Sequence, residues 1–234
     1  MISLLISSRE KDRKNTGNLN SFVSSIRKSI YDPSNVELIF KFDDCDDLIE
    51  DELYIACSNN IDMNVKYIIT PRYGYLGLHK AYHEMIDYIN PNTYIIGFTA
   101  DDFMFKEGSN WDKILLDSSC HLKDEPFIVQ DETKVGKMND TPFYSKKLIE
   151  LITFGNSLSV DGLLLLMSEF YVENNLHNYI VTAPTFNYRM TCAYDWGVER
   201  WSVEREQLMR YFETDEYKNF IMKSKQTLKT YFKI

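Results

Sequence analysis

The residues TADD at Thr99 to Asp102 follow the apolar run TYIIGF and are followed at once by Phe103, Met104 and Phe105. Charged side chains are costly to bury without partners, so two adjacent carboxylates between hydrophobic flanks imply work for the charge. A second apolar run, VELIFKF, ends in Asp43 and Asp44, with Asp46 and Asp47 just beyond. Carboxylates suit a hard divalent ion such as Mg²⁺ or Mn²⁺, which takes carboxylate and phosphate oxygens together and neutralises charge on a departing diphosphate. That chemistry fits nucleotide-activated donors. The competing structural roles are helix capping for Asp46 and Asp47, where Asp accepts amide hydrogens and suits the dipole, and a surface turn for Asp101 and Asp102.

Basic residues that could meet a diphosphate are Arg9, Arg72, His79 and Lys80. Arg72 is favoured because a guanidinium fork matches phosphate oxygens and its loop, PRYGYLG, contains two glycines. His79 and His83 stand one helical turn apart, a spacing that permits a metal pair. With no HExxH motif, packing and phosphate contact are the preferred roles.

These residues need elements to hold them. ISLLIS (Ile2 to Ser7), VELIFKF (Val36 to Phe42), VKYIIT (Val65 to Thr70) and TYIIGF (Thr93 to Phe98) are predicted strands. The helical patterns between them run through Leu19 to Ile30, Leu48 to Cys57 and LHKAYHEMIDYI (Leu78 to Ile89). Strands alternating with helices imply right-handed crossovers and a mainly parallel sheet with helices on both faces. Ligands in such sheets bind beyond the carboxyl ends of the strands. Ser7 to Arg9, Asp43 and Asp44, Pro71 to Tyr75, and Asp101 and Asp102 all fall there. Further on, Trp111 to Leu116, Phe143 to Phe154, Asp161 to Val172, Ser202 to Phe212 and Tyr217 to Tyr231 read as helices, and Pro126 to Gln130 and Tyr179 to Pro184 as strands.

Composition excludes several classes. The 234 residues are 44% hydrophobic and carry a formal charge of -9, which argues against a nonspecific nucleic-acid binder held by phosphates. Cys45, Cys57, Cys120 and Cys192 form no CxxC pair, so a zinc knuckle has no support. Neither a P-loop GxxxxGK[ST], nor a GxGxxG after the first strand, nor a GxSxG elbow is present. The opening apolar run is too short for a signal peptide, no run would span a bilayer, and a cytoplasmic protein is expected. The last helix carries Lys218, Lys223, Lys225, Lys229 and Lys233 with no acid from Lys218 onward. It reads first as a solvated face, and otherwise as a contact with a membrane surface or an acidic partner.

With the order of these motifs in hand, the chain resembles nucleotide-sugar glycosyltransferases of the GT-A type, the family-2-like group in particular. ISLLISSR is similar to the opening strand and loop, LIFKFDDCDD (Leu38 to Asp47) to the nucleotide-binding second-strand segment, and GLHKAYHEM (Gly77 to Met85) to the start of the following helix. YIIGFTADD is similar to the strand that runs into the DxD metal motif. The resemblance covers about residues 1 to 105 and implies a Rossmann-like GT-A fold in one domain over residues 1–234. Residues 1–105 would form the nucleotide-sugar half and residues 106–234 the acceptor half.

The resemblance implies that Asp43 or Asp44 contacts the nucleobase and that Asp101 ligates the ion; Asp102 is read as a second ligand beside the donor or as a neighbour that orders the turn, and Ser7 as a donor contact at its strand end. It also implies a general base on a helix below the acceptor, a context matched by Asp161 in SVDGLLLLMSEF. Glu169 is the substitute, and a capping role after Ser159 is the alternative. His177 is carried over as a late metal ligand. The sequence departs from the pattern at Thr99, which stands where the first Asp of DxD would be, so the ion would lean on Asp101, water and phosphate. The implied reaction is transfer of a sugar from a nucleoside diphosphate donor, UDP-linked among the candidates, to a glycan hydroxyl. A sugar nucleotidyltransferase is a rival, though the glycine-rich loop it carries after the first strand is missing. A degenerate GT-A domain that binds glycans or proteins is the other.

Overall fold

The computed structural model describes residues 1–8, 19–46, 49–73, 77–101, 103–133, 141–152, 160–189, 206–207 and 209–234. The first half alternates as expected: β1 (Ile2–Ser7), α1 (Leu19–Ser29), β2 (Val36–Asp43), α2 (Ile49–Asn59), β3 (Asn64–Thr70), α3 (Leu78–Ile86) and β4 (Ile95–Ala100). There follow β5 (Phe103–Phe105), α4 (Trp111–Ser119), β6 (Ile128–Asp131), β7 (Phe143–Ser145), α5 (Lys146–Ile152), α6 (Val160–Glu173), β8 (Ile180–Ala183), β9 (Asn187–Arg189) and α7 (Asp215–Phe232).

Seven strands form one sheet in the order β3-β2-β1-β4-β7-β6-β8. β1, β2, β3 and β4 are mutually parallel, β7 runs antiparallel to β4 and β6, and β8 is parallel to β6. The sheet is therefore mostly parallel, and helices cover both faces, as in a Rossmann-like GT-A fold. The apolar runs of β1 and β2 are explained by burial on both sides. Leu4, Ile6, Leu38 and Phe40 pack with α1, α2 and α4 on one face. Leu5, Ile39, Ile96 and Phe98 pack with α3, α5, α6 and α7 on the other.

Phe103 to Phe105, which return to hydrophobic residues straight after the aspartates, form a second, two-stranded sheet with β9. Phe105 stacks on Phe186 at 6.2 Å and leans on Trp111 at 5.5 Å. Asp101 is thus pinched between the main sheet and this small one.

Three short strands differ from the sequence expectation. Phe143 to Phe154 reads as a helix throughout, but Phe143–Ser145 is the antiparallel strand β7, and α5 begins only at Lys146. The apolar spacing of Leu148, Ile149 and Ile152 is helical and masks a short strand made by pairing with β4 and β6. The strands β5 and β9 were also not foreseen. Within Ser202 to Phe212, residues 206–207 and 209–212 are helical, and the others lie outside the described residues.

Glu37 and Asp112, buried acids away from the carboxyl ends of the strands, both have partners. Glu37, on β2, accepts from Ser3 Oγ and from the Asn90 amide at 2.6 Å, and Lys66 Nζ lies 2.8 Å from its carboxylate. Asp112, wholly buried, accepts from the Tyr31 and Asp32 amides and from Asn35 Nδ2, which ties the turn before β2 to α4.

Candidate active site at the carboxyl edge of the sheet

Parallel strands end together, so β1, β2, β3 and β4 deliver their last residues to one edge. In register, Ser7 sits beside Lys41 on β2 and Ala100 on β4, while Asp43 sits beside Thr70 on β3. One residue further along, the Ser8 hydroxyl donates to the Asp101 carboxylate, and the Ser8 amide donates to the Lys41 carbonyl at 3.0 Å. Ser8, Asp43 and Asp101 are all buried. β1 separates the two aspartates, so their backbones stand two strand spacings apart, ~10 Å.

Asp43 is surrounded by cations. Lys41, on the same side of β2 by the two-residue strand period, donates to the Asp43 carboxylate, and Arg72 Nε lies 3.9 Å from it. Lys41 Nζ also stands 5.7 Å above the ring of Tyr73, and Lys80 Nζ stands 6.0 Å from that ring. Tyr73 donates its phenol proton to Glu84 at 2.5 Å, and this hydrogen bond to a carboxylate, with lesser help from burial, raises the Tyr73 pKa. Arg72 and Lys80 therefore do converge on the end of β2. Asp44 is exposed beside them, and its amide donates to Thr70 at 2.9 Å. His79 is half-buried in the first turn of α3.

Among the described residues, one cluster of three ligand groups could hold a divalent ion. Asp43, Cys45 and Asp46 each bring one ligand atom within 4.8 Å of the others. Its donor set mixes carboxylates with a soft thiol, and Lys41 and Arg72 already balance the charge of Asp43, which disfavours Mn²⁺ or Mg²⁺ there. Asp101 is a hard oxygen ligand that accepts from the Ser8 hydroxyl and belongs to no cluster of three such ligand groups among the described residues. Thr99 holds its hydroxyl 3.3 Å from Thr141 Oγ1, and Thr141 in turn accepts from Asn187 Nδ2. The hydroxyl that replaces the expected carboxylate is thus engaged in a buried polar chain joining β4 to β9.

Two hydrogen bonds fix the direction of α6. Tyr171 donates to the carbonyl of Pro126, ahead of β6, at 2.7 Å, and Ser168 donates to Gln130 near the end of β6 at 3.4 Å. The helix therefore runs against β6, and Asp161, two turns before Ser168, starts it on the same edge as Asp43 and Asp101. Glu169, one residue on from Ser168, is exposed in the middle of the helix. The Asp161 side chain, Arg9 and Asp102 lie outside the described residues.

His177 is not brought to this site. It immediately precedes β8, which runs parallel to β6 and, through β7, parallel to β4. It is therefore at the amino edge of the sheet, across ~20 Å of strand from Asp101, and exposed. The loop position that suggested a late ligand carries no information about which edge the loop occupies.

Lys41 is the neighbour that sequence reasoning missed, while Ser8 and Tyr73 fall in stretches expected at this edge but given no role of their own. For Lys41 a signal exists: a lysine between Phe40 and Phe42 in a strand buried on both faces must have a partner, and the nearest acid on its own side is Asp43. Ser8 needed the register between β1 and β4.

No protein-family model and no curated protein matches the chain. Solved structures do. A mannosyltransferase from Pyrobaculum calidifontis, PcManGT, in complex with GDP-Man and Mn²⁺, superposes with a TM-score of 0.63 at 12% identity, over 97% of this chain and 69% of that one. TarS from S. aureus gives 0.56 at 11% identity over 92% of this chain, which spans only 40% of that protein's length. Residues 1–349 of TarS in complex with UDP-GlcNAc give 0.58 at 11% identity, over 92% and 67% of the two chains. At this identity the likeness is one of fold, which the chain shares with both proteins.

Proposed function

We propose that the protein is a glycosyltransferase that moves a sugar from a nucleoside diphosphate donor to a hydroxyl of a glycan or glycoconjugate. The observation that carries this reading is the pair of buried carboxylates, Asp43 and Asp101, at the carboxyl ends of β2 and β4 on either side of β1. A donor lying across these three strand ends would place its base at Asp43 and its diphosphate at Asp101. The ligands named for PcManGT, GDP-Man with Mn²⁺, and for TarS, UDP-GlcNAc, are of this class. The base identity, UDP or another, is left to the test.

The chain's own residues divide the work. Lys41 and Arg72 hold the Asp43 carboxylate in place for hydrogen bonding to the base, and Tyr73 offers a ring beside it. Arg72 and Lys80, at the Asp43 end of the edge, supply positive charge for the part of the diphosphate nearest the base, with Arg9 and the ring N–H of His79 as further phosphate contacts. Ser8 orients Asp101, which would hold Mn²⁺ or Mg²⁺; when bound, the ion neutralises charge on the leaving diphosphate. Asp161, at the start of α6, would take the proton of the attacking acceptor hydroxyl. A helix start favours the ionised carboxylate, which suits acceptance of a proton but weakens its basicity.

Donor-sugar hydrolysis tests the reading. Wild type should release nucleoside diphosphate from a UDP or GDP sugar in the presence of Mn²⁺, and Asp101→Ala should lose most of that rate. Equal ion-dependent rates in the two would refute it. The second reading, a GT-A domain that binds without turnover, is favoured by the Thr99–Thr141 hydroxyl pair standing where a carboxylate is expected. Ion-dependent donor binding with no hydrolysis and no transfer would select it.

A further inference from the structure

Helices α6 and α7 lie on the same face of the sheet and leave a groove of about 630 Å³ between them. Its apolar lining includes Leu166 and Phe170 from α6, Ile221 and Met222 from α7, and Phe212 and Tyr217 at one end. Lys218, Lys225 and Lys229 line it as well. None of these residues belongs to the carboxyl-edge site.

The sequence of α7 explains this arrangement. Ser224 and Leu228 are buried against the protein. On another side of the helix, Lys218, Met222, Lys225 and Lys229 recur at three- and four-residue steps and form a single stripe, and Lys233 is the left-handed cap residue just past the helix end. Met222 is 61% exposed in the middle of that stripe. Lys225 is 3.9 Å from Glu173 across the groove, whereas Lys218 and Lys229 make no ion pair among the described residues. From Tyr217 to Ile234 there are five lysines and none of the chain's 35 acids, in a protein whose net charge is -9.

We infer that this groove and the lysine stripe beside it dock onto a membrane surface that carries anionic phospholipid. An apolar trough edged with ammonium groups complements an amphiphile with negative heads and aliphatic bodies. Lys218, Lys229 and Lys233 meet headgroup phosphates, and Met222 and the aliphatic lining reach the boundary with the acyl chains. The apolar side chains Leu166, Phe170, Ile221 and Met222 beside the lysines suit an amphiphile better than a fully polar polyanion, which would leave them in water. No helix among the described residues is long and apolar enough to cross a membrane, so the contact is peripheral. The inference does not depend on the proposed transferase activity.

Vesicle flotation with the full chain tests it. Wild type should float with phosphatidylcholine vesicles containing phosphatidylglycerol, should stay behind with phosphatidylcholine alone, and should detach as salt rises. Lys218→Glu, Lys229→Glu and Lys233→Glu alter exposed side chains and should each weaken binding about fivefold or more. Met222→Ser should weaken it without changing its salt dependence. Equal flotation with both vesicle types would overturn the inference, as would a triple charge reversal that binds like wild type while keeping its melting temperature. Binding of an oligonucleotide or a polyglutamate peptide through the same lysines, with no flotation, would assign the patch to a soluble polyanion and also overturn it.

Discussion

Lys41 and Asp43 form an ion pair on one side of β2 in which each side chain is only 5% exposed. Two residues of a strand share a face, so the pair is built into the local sequence, and the sheet then removes it from water. Arg72, 49% exposed and 3.9 Å from the same carboxylate, adds a second cation from the end of β3. The carboxylate at the proposed base-binding position is therefore held from two directions before any ligand arrives.

Removing the lysine should expose what the pair contributes. Lys41→Met leaves Asp43 buried with only the outlying Arg72 as counter-charge, and should cost about 3–5 kcal/mol of stability. Adding Asp43→Asn to that variant should recover much of the loss, because the stranded charge is then gone. Urea unfolding of the single and double variants measures both. A single variant as stable as wild type would mean that Asp43 finds another partner.

Thr99 decides how the departure from DxD is understood. Its hydroxyl is directed at Thr141, so Thr99→Ala should lower stability by about 1 kcal/mol and leave the Mn²⁺ dependence of nucleotide binding unchanged. Calorimetry of the variant checks this. Loss of the ion dependence would make the Thr99 hydroxyl part of the ion site.

Gly97 marks a close approach within the sheet. A Cβ built there would lie 2.7 Å from Phe143 Cδ1 and 2.8 Å from Leu4 Cδ1, and both neighbours are buried. Gly97→Ala should destabilise the protein by about 1–3 kcal/mol through overpacking, read as a lower unfolding midpoint. Pairing Gly97→Ala with Phe143→Leu should relieve part of the loss.

The first hundred residues were legible because each strand there is a continuous apolar run ending in polar residues. That pattern gave the parallel sheet and placed Ser7, Asp43 and Asp101 on one edge. What followed was less legible for definite reasons. β5, β7 and β9 are three-residue strands created by pairing across the chain, and in Phe143 to Ile152 the helical spacing of α5 concealed β7. His177 was misplaced because only the direction of β8 tells which edge its preceding loop occupies. The partner of Asp101 required the register between β1 and β4. The Thr99–Thr141 contact joins residues 42 apart in sequence, which no local spacing foretells.

Alkaline pH should unfold the protein through buried Tyr171 and half-buried Tyr217. Burial raises the Tyr171 pKa above the ordinary 10.0, and Tyr217 is pushed up to about 12, also chiefly by burial. The folded state thus favours neutral phenols. Its advantage is complete below pH 10 and is lost as the pH climbs from there toward 12 and beyond. Unfolding midpoints should fall steadily across that window, and the tyrosinate absorbance of Tyr171 should appear only with unfolding. Tyr171→Phe should flatten part of the slope. At neutral pH it should cost about 1–2 kcal/mol, because the Pro126 carbonyl loses its donor.

Calorimetric titration with UDP and with GDP, each with and without Mn²⁺, on wild type and Asp101→Ala, tests the central claim most directly. One of the two nucleotides should bind wild type at least about tenfold more tightly with the ion, and Asp101→Ala should bind it equally weakly with and without Mn²⁺. Absence of binding by both nucleotides, or an ion effect that survives in Asp101→Ala, would contradict the account.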